Sequence, residues 1–118
     1  MGASEQERTN DTELNAVELG LIYHQVVDAI RTCYDPEIPV NIYELGLIYD
    51  VKVAADGGVL VVMTLTTPHC PAAQTLPREV EAKVRSVKGV TDARVEIVWE
   101  PPWNQTMMSE AARLELGM

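Results

Sequence analysis

The segment Thr66-Thr67-Pro68-His69-Cys70-Pro71-Ala72-Ala73 joins a strand-like apolar run, Val59 to Leu65, to a helix-like run that continues to about Val87. Pro71 suits the first helical position, where a missing N–H costs nothing. Cys70 then falls at the N-cap, facing unpaired backbone N–H groups and the positive end of the helix dipole. That setting favours thiolate over thiol: a free cysteine titrates near about 8.5, and helix N-termini lower this by roughly one to several units. Such a thiolate binds metal or attacks an electrophile; the plainer alternative is a small apolar residue filling a turn. His69, next to it, is a base, a ligand or a solvated loop residue. The second set of candidates lies in Asp35-Pro36-Glu37-Ile38-Pro39-Val40-Asn41, a stiff two-proline loop carrying two carboxylates. Asp35 and Glu37 are open to three readings: acid/base groups, metal ligands, or loop residues that bond their own backbone. Sites are commonly built on such loops, which keeps the functional readings in play.

Other chemistry is thin. No Gly-rich phosphate loop, nucleophile elbow or His-Glu-x-x-His pattern occurs. Cys33, Cys70, His24 and His69 lack zinc-finger spacing, and the two cysteines form no Cys-x-x-Cys pair. Trp99 and Trp103 flank Pro101-Pro102 and read as a hydrophobic clamp for the tail or a surface for a partner.

The elements that must position these residues follow from periodicity. Leu19, Ile22, Val26, Ile30 and Cys33 recur at spacings of three and four, predicting a helix that Asp35-Pro36 stops. Cys33 lies on its buried stripe and packs there by default, while His24 reads as a surface residue. After a short turn at Ile42–Gly46, a strand is expected from Leu47 to Ala54, and Asp56-Gly57-Gly58 signals a hairpin. The returning strand, Val59 to Thr66, is apolar on both faces, as for an inner strand covered on both sides. Leu76, Val80, Val84 and Val87 predict a second helix, interrupted by Pro77 and closed by Lys88-Gly89. Ala93, Val95, Ile97 and Trp99 alternate with polar residues as a half-buried strand. Ser109 caps a short final helix ending at Gly117, docked through Met107, Met108, Leu114 and Leu116. The expected fold is α+β: a small mixed three-stranded sheet, helices mainly on one face, in the order α-β-β-α-β plus a short C-terminal helix.

Composition narrows the function. With 118 residues there is room for one core. Nine basic against 18 acidic residues leave a net charge of −9, which argues against a nucleic-acid surface or a polybasic membrane patch. No window approaches the roughly 18 uncharged apolar residues of a membrane span, and residues 1–14 lack the pattern of a signal peptide. A cytoplasmic location is therefore expected, and with it reduced cysteines.

Tyr34-Asp35-Pro36-Glu37-Ile38-Pro39-Val40-Asn41-Ile42-Tyr43-Glu44-Leu45-Gly46-Leu47-Ile48-Tyr49-Asp50 resembles the signature of the MIP18-like, PaaD/SufT-type iron–sulfur assembly domain family. Thr64 to Ala72 resembles its second motif, and the likeness runs from about Leu21 to Trp99. Trp99-Glu100-Pro101-Pro102-Trp103, Met108-Ser109-Glu110 and Leu116-Gly117 are similar to the C-terminal extension of SufT-type members. Residues 100–118 contain no cysteine, unlike the cysteine-rich tail of the PaaD branch. The expected division is then a disordered lead-in at 1–14, the assembly-like domain at 15–99, and a linker with a docked short helix at 100–118.

The resemblance implies a non-enzymatic maturation factor that helps deliver iron–sulfur clusters, with the assembly machinery and client apoproteins as partners. It marks Cys70 as the functional cysteine and metal ligand and Asp35 as the matching acidic residue; Glu37 and His69 complete the candidate cluster-binding set. One thiol does not fill the four-ligand shell that a cluster usually takes. A transient cluster, or one shared between the subunits of a homodimer, is the expected cofactor. The alternatives are a thiol-dependent enzyme with Cys70 as nucleophile and a non-catalytic adaptor acting through the Trp103 tail.

Overall fold

Asn15 caps the first described helix. Its side chain accepts the Glu18 amide at 2.8 Å while the Glu18 carboxylate accepts the Asn15 amide at 3.0 Å, a reciprocal capping box that satisfies two donors left over at a helix start. The computed structural model describes residues 14–35, 38–66 and 72–117. Helix α1 spans Ala16–Ile30, three residues earlier than its apolar stripe predicts, because Asn15-x-x-Glu18 sets the boundary. Ile22, Val26 and Ile30 are buried as expected, and Cys33 continues the stripe just beyond the helix end. Leu14, assigned by sequence to the lead-in, donates its amide to the Ala55 carbonyl at 2.8 Å and packs on the core.

The segment Ile42–Gly46, expected as a turn, is one turn of helix, α2 (Ile42–Leu45), capped by the Asn41 side chain. Gly46 ends it at φ +89°, a left-handed conformation natural to glycine. Strand β1 (Ile48–Val53) then pairs antiparallel with β2 (Gly58–Met63) across the predicted hairpin. Helix α3 spans Ala72–Arg85 and runs through Pro77 without dividing. Gly89 is not its cap; it lies in the turn beyond, at φ +97°. Strand β3 (Asp92–Ile97) returns parallel to β2, giving the mixed order β1-β2-β3. A 3-10 turn at Gln105–Met107 and helix α4 (Glu110–Glu115), capped by Ser109, complete the described chain.

The register shows how the layers form. Val51, Val61 and Val95 align across the sheet, as do Val53, Val59 and Ala93. This face carries the buried side chains of β2, and α1 and α3 cover it: α1 packs on β1 and α3, and α3 packs on β3. Val61, Met63, Val80 and Val84 are fully buried, each such side chain stabilising the fold by about 1.5–3 kcal/mol. The opposite face places Leu60 between Lys52 and Arg94 and Val62 between Asp50 and Glu96. Leu60 and Val62 are only half-buried, so β2 is an inner strand covered fully on one side rather than two. Among the described residues no helix is long and apolar enough to cross a membrane.

The tail docks differently from its predicted contacts. Met108 and Ala112 are buried and Trp103 and Leu116 pack on the core. Leu114 is 71% exposed and Trp99 44% exposed, so neither clamps the tail. Alternation explains Leu114: on a helix of six residues only one face meets the body, and Ala112 and Leu116 occupy it.

Candidate functional site

Asp35 is a carboxylate with 4% exposure, at the point where the chain leaves α1. Its Oδ1 accepts the Ile38 amide at 3.1 Å, the local bond that the structural reading of an Asp-Pro turn predicts. Burial of an acidic side chain to this degree is uncommon outside paired or functional positions, so the two readings of Asp35 coexist. Tyr34 beside it bridges to Asn41, and Ile42 donates its amide to the Cys33 carbonyl at 2.9 Å. The loop is thereby pinned at both ends to the start of α2. Arg31 ties α1 to α2 as well, through an ion pair with Glu44 at 3.1 Å and a position 4.9 Å over the Tyr43 ring.

The two cysteines part company here. Cys33 is fully buried, and burial, reinforced by the negative charge of Glu79, pushes its thiol from 9.0 up to about 11. A thiol so raised is protonated near neutral pH and inert. Cys70 and His69 lie outside the described residues, as does Glu37; α3 is described from Ala72, two residues after Cys70. His24 is exposed on α1, edge-on to Tyr23. Among the described residues no three His, Cys, Asp or Glu side chains group as a metal site.

The burial of two hydroxyls in the second motif was not foreseen from the sequence. Thr64 is 1% exposed, and its hydroxyl and that of Thr66 are buried with no hydrogen-bond partner among the described residues. Burying a hydroxyl unpaired costs about 1–3 kcal/mol. Both lie on the stretch that runs from β2 toward Cys70, and hydroxyls inside an otherwise apolar strand were the available signal. At the other end of the sheet, Arg85 donates to Asp92 at 3.1 Å and to the Ala93 carbonyl at 2.9 Å. That hydrogen bond holds the Asp92 carboxyl below its usual range. This is a structural clasp joining the end of α3 to the start of β3.

Comparison with known proteins places this architecture. A Bacillus anthracis domain of unknown function superposes with a TM-score of 0.81 at 31% identity, covering 88% of this chain and 99% of that one. An Fe-S protein maturation auxiliary factor of Porphyromonas gingivalis is 59% identical over 92 residues, 78% of this chain and 88% of the relative. The Fe-S protein maturation auxiliary factor YitW of Bacillus subtilis is 40% identical over 93 residues, 79% of this chain and 91% of that protein. The family model described as iron-sulfur cluster assembly protein matches residues 23–97, a span that takes in the Asp35 loop, the whole sheet and α3. The chain belongs to the iron–sulfur cluster assembly protein family.

Proposed function

We propose that this protein is a non-enzymatic maturation factor of the cytoplasm that passes iron–sulfur clusters to client apoproteins, with the Cys70 thiolate as its metal ligand. The observation that carries the reading is the state of the other cysteine. Cys33 is sealed in the core with its thiol raised to about 11, which supports Cys70, the other cysteine of the sequence, as the ligand. Family membership over residues 23–97 supports the cargo. The Asp35 loop supplies a buried carboxylate within the first motif, and Glu37 and His69 complete the candidate donor set.

Clusters of two or four irons are commonly held by four protein thiolates. A subunit with one available sulfur holds such a cargo by sharing it, with Cys70 of a second copy, small thiols or the receiving protein filling the shell. A weak, shared shell suits a factor that gives its cluster away. Anaerobic reconstitution with ferrous iron, sulfide and glutathione tests this. The expected product is a labile chromophore on a dimer or larger species, dependent on the added thiol and absent in Cys70→Ala. A stable cluster on a monomer contradicts the shared shell. Failure to bind iron under every condition overturns the carrier reading and leaves thiol chemistry at Cys70 or adaptor action through the Trp103 tail.

A further inference from the structure

Helix α2 has four residues, far below the length at which a helix holds itself in water, and its last carbonyls have no partner within it. Two of them are met from the C-terminal segment. The Ser109 amide donates to the Glu44 carbonyl at 2.8 Å, and the Trp103 indole Nε1–H donates to the Leu45 carbonyl at 2.8 Å. Tyr49, at the start of β1, donates its hydroxyl to the Pro101 carbonyl at 2.6 Å. Burial and the nearby Glu100 charge raise that phenol above its ordinary value, so it remains a donor. Gly46 closes the joint, since a methyl group there would overlap the Met107 backbone, its carbonyl carbon 2.8 Å away. At its other end α2 is capped by Asn41, which bridges to Tyr34 next to Asp35, and Ile42 bonds back to Cys33.

We infer that residues 100–117 act as a strap that sets the Asp35 loop through α2, with Trp103 and Ser109 as positioning residues for the candidate site. The segment caps the end of α2 remote from the loop, and α2 transmits the restraint because both its ends are bonded outside itself. The consequence for function rests on the reading of Asp35 and Cys70 given above; the mechanical link does not.

Two substitutions remove one donor each. Trp103→Phe keeps most of the apolar contact and deletes the indole N–H. Ser109→Pro deletes the amide at a backbone already compatible with proline, φ −67°, after a residue in extended conformation at ψ 144°. Ser109→Gly, which loses the same side-chain cap but keeps the amide, is its control, and the exposed Leu114→Ala is the control for Trp103→Phe. Residue-resolved amide exchange is read at Ile38, whose N–H bonds Asp35, and at Val61 in the core of β2. The strap predicts exchange at Ile38 faster by about tenfold in Trp103→Phe and Ser109→Pro, with Val61 and both controls unchanged. Equal acceleration at Ile38 and Val61, or none at Ile38, overturns it. The pH midpoint of Cys70 alkylation is the second readout. Asp35→Asn removes a negative charge and lowers that midpoint if the carboxylate stands beside the thiol. Trp103→Phe then shifts it the same way, and the double variant adds nothing to Asp35→Asn. A midpoint that ignores Asp35→Asn refutes the site reading alone, and Ile38 exchange still decides the strap.

Discussion

The two ends of the sheet are closed in different ways. At the hairpin end the partners belong to elements that the sheet and its covering helix already bring together: Gly58 donates to the Asp56 carboxylate at 2.9 Å, Thr91 donates to the Gly57 carbonyl at 3.0 Å, and Arg85 clasps Asp92 and Ala93. At the end carrying the Asp35 loop, Glu44, Leu45 and Tyr49 are bonded by Ser109, Trp103 and Pro101, from a segment that follows the last strand. The first end forms whenever the sheet forms. The second depends on an appended segment, so it can loosen while the sheet stays intact. The proposed role, in which a bulky cargo is accepted and released, gives a reason to keep an adaptable region apart from the elements that stabilise the fold.

The sharpest way to break this contrast is Gly46→Ala. The new methyl meets the Met107 backbone, and φ +89° is itself unfavourable for alanine. A loss of about 2–4 kcal/mol in denaturant unfolding is expected, with exchange at Asn41–Leu45 rising far more than in β2. A loss below about 1 kcal/mol would mean that the strap yields easily and does not restrain α2. At the hairpin end, Asp56→Ala removes one exposed bond and should cost no more than about 1 kcal/mol.

A smaller effect separates the core thiol from its surroundings. The native state holds the Cys33 proton more tightly than the unfolded chain, with folded and ordinary values of about 11 and 9.0. The stability this supplies is complete below pH 9 and is lost as the pH climbs toward 11, amounting to about 2–3 kcal/mol. Urea unfolding between those limits should show a steeper decline for the natural chain than for Cys33→Ala, which itself loses only about 1 kcal/mol at neutral pH. Parallel curves would mean that the thiol is less enclosed than the packing indicates.

Most of the sheet and its helical cover was legible in the sequence because it follows from period. Leu76, Val80 and Val84 on α3, and Val51 and Val53 on β1, repeat at spacings that admit one arrangement. The Asp56-Gly57-Gly58 turn has few alternative conformations. What escaped depended on distant partners. Asn41 and Gly46 mark the ends of α2 locally, but four residues do not hold a helix by themselves, and its carbonyls find donors about 60 residues later. Nor does local sequence tell Trp103, which reaches Leu45, from Trp99, which stays exposed. Asp35 was legible as a candidate from its loop, while its burial came only with the fold. Thr64 and Thr66 were legible as part of the second motif, while the burial of their hydroxyls came only with the fold.

The central claim, that one sulfur of this chain faces its cargo and the other never does, is tested most directly by timed alkylation. The folded protein is treated with iodoacetamide near neutral pH, and adducts are mapped by peptide mass spectrometry. The account predicts a single fast adduct on Cys70, with Cys33 modified only after denaturant is added. Equal rates at the two cysteines, or faster modification of Cys33, would contradict it.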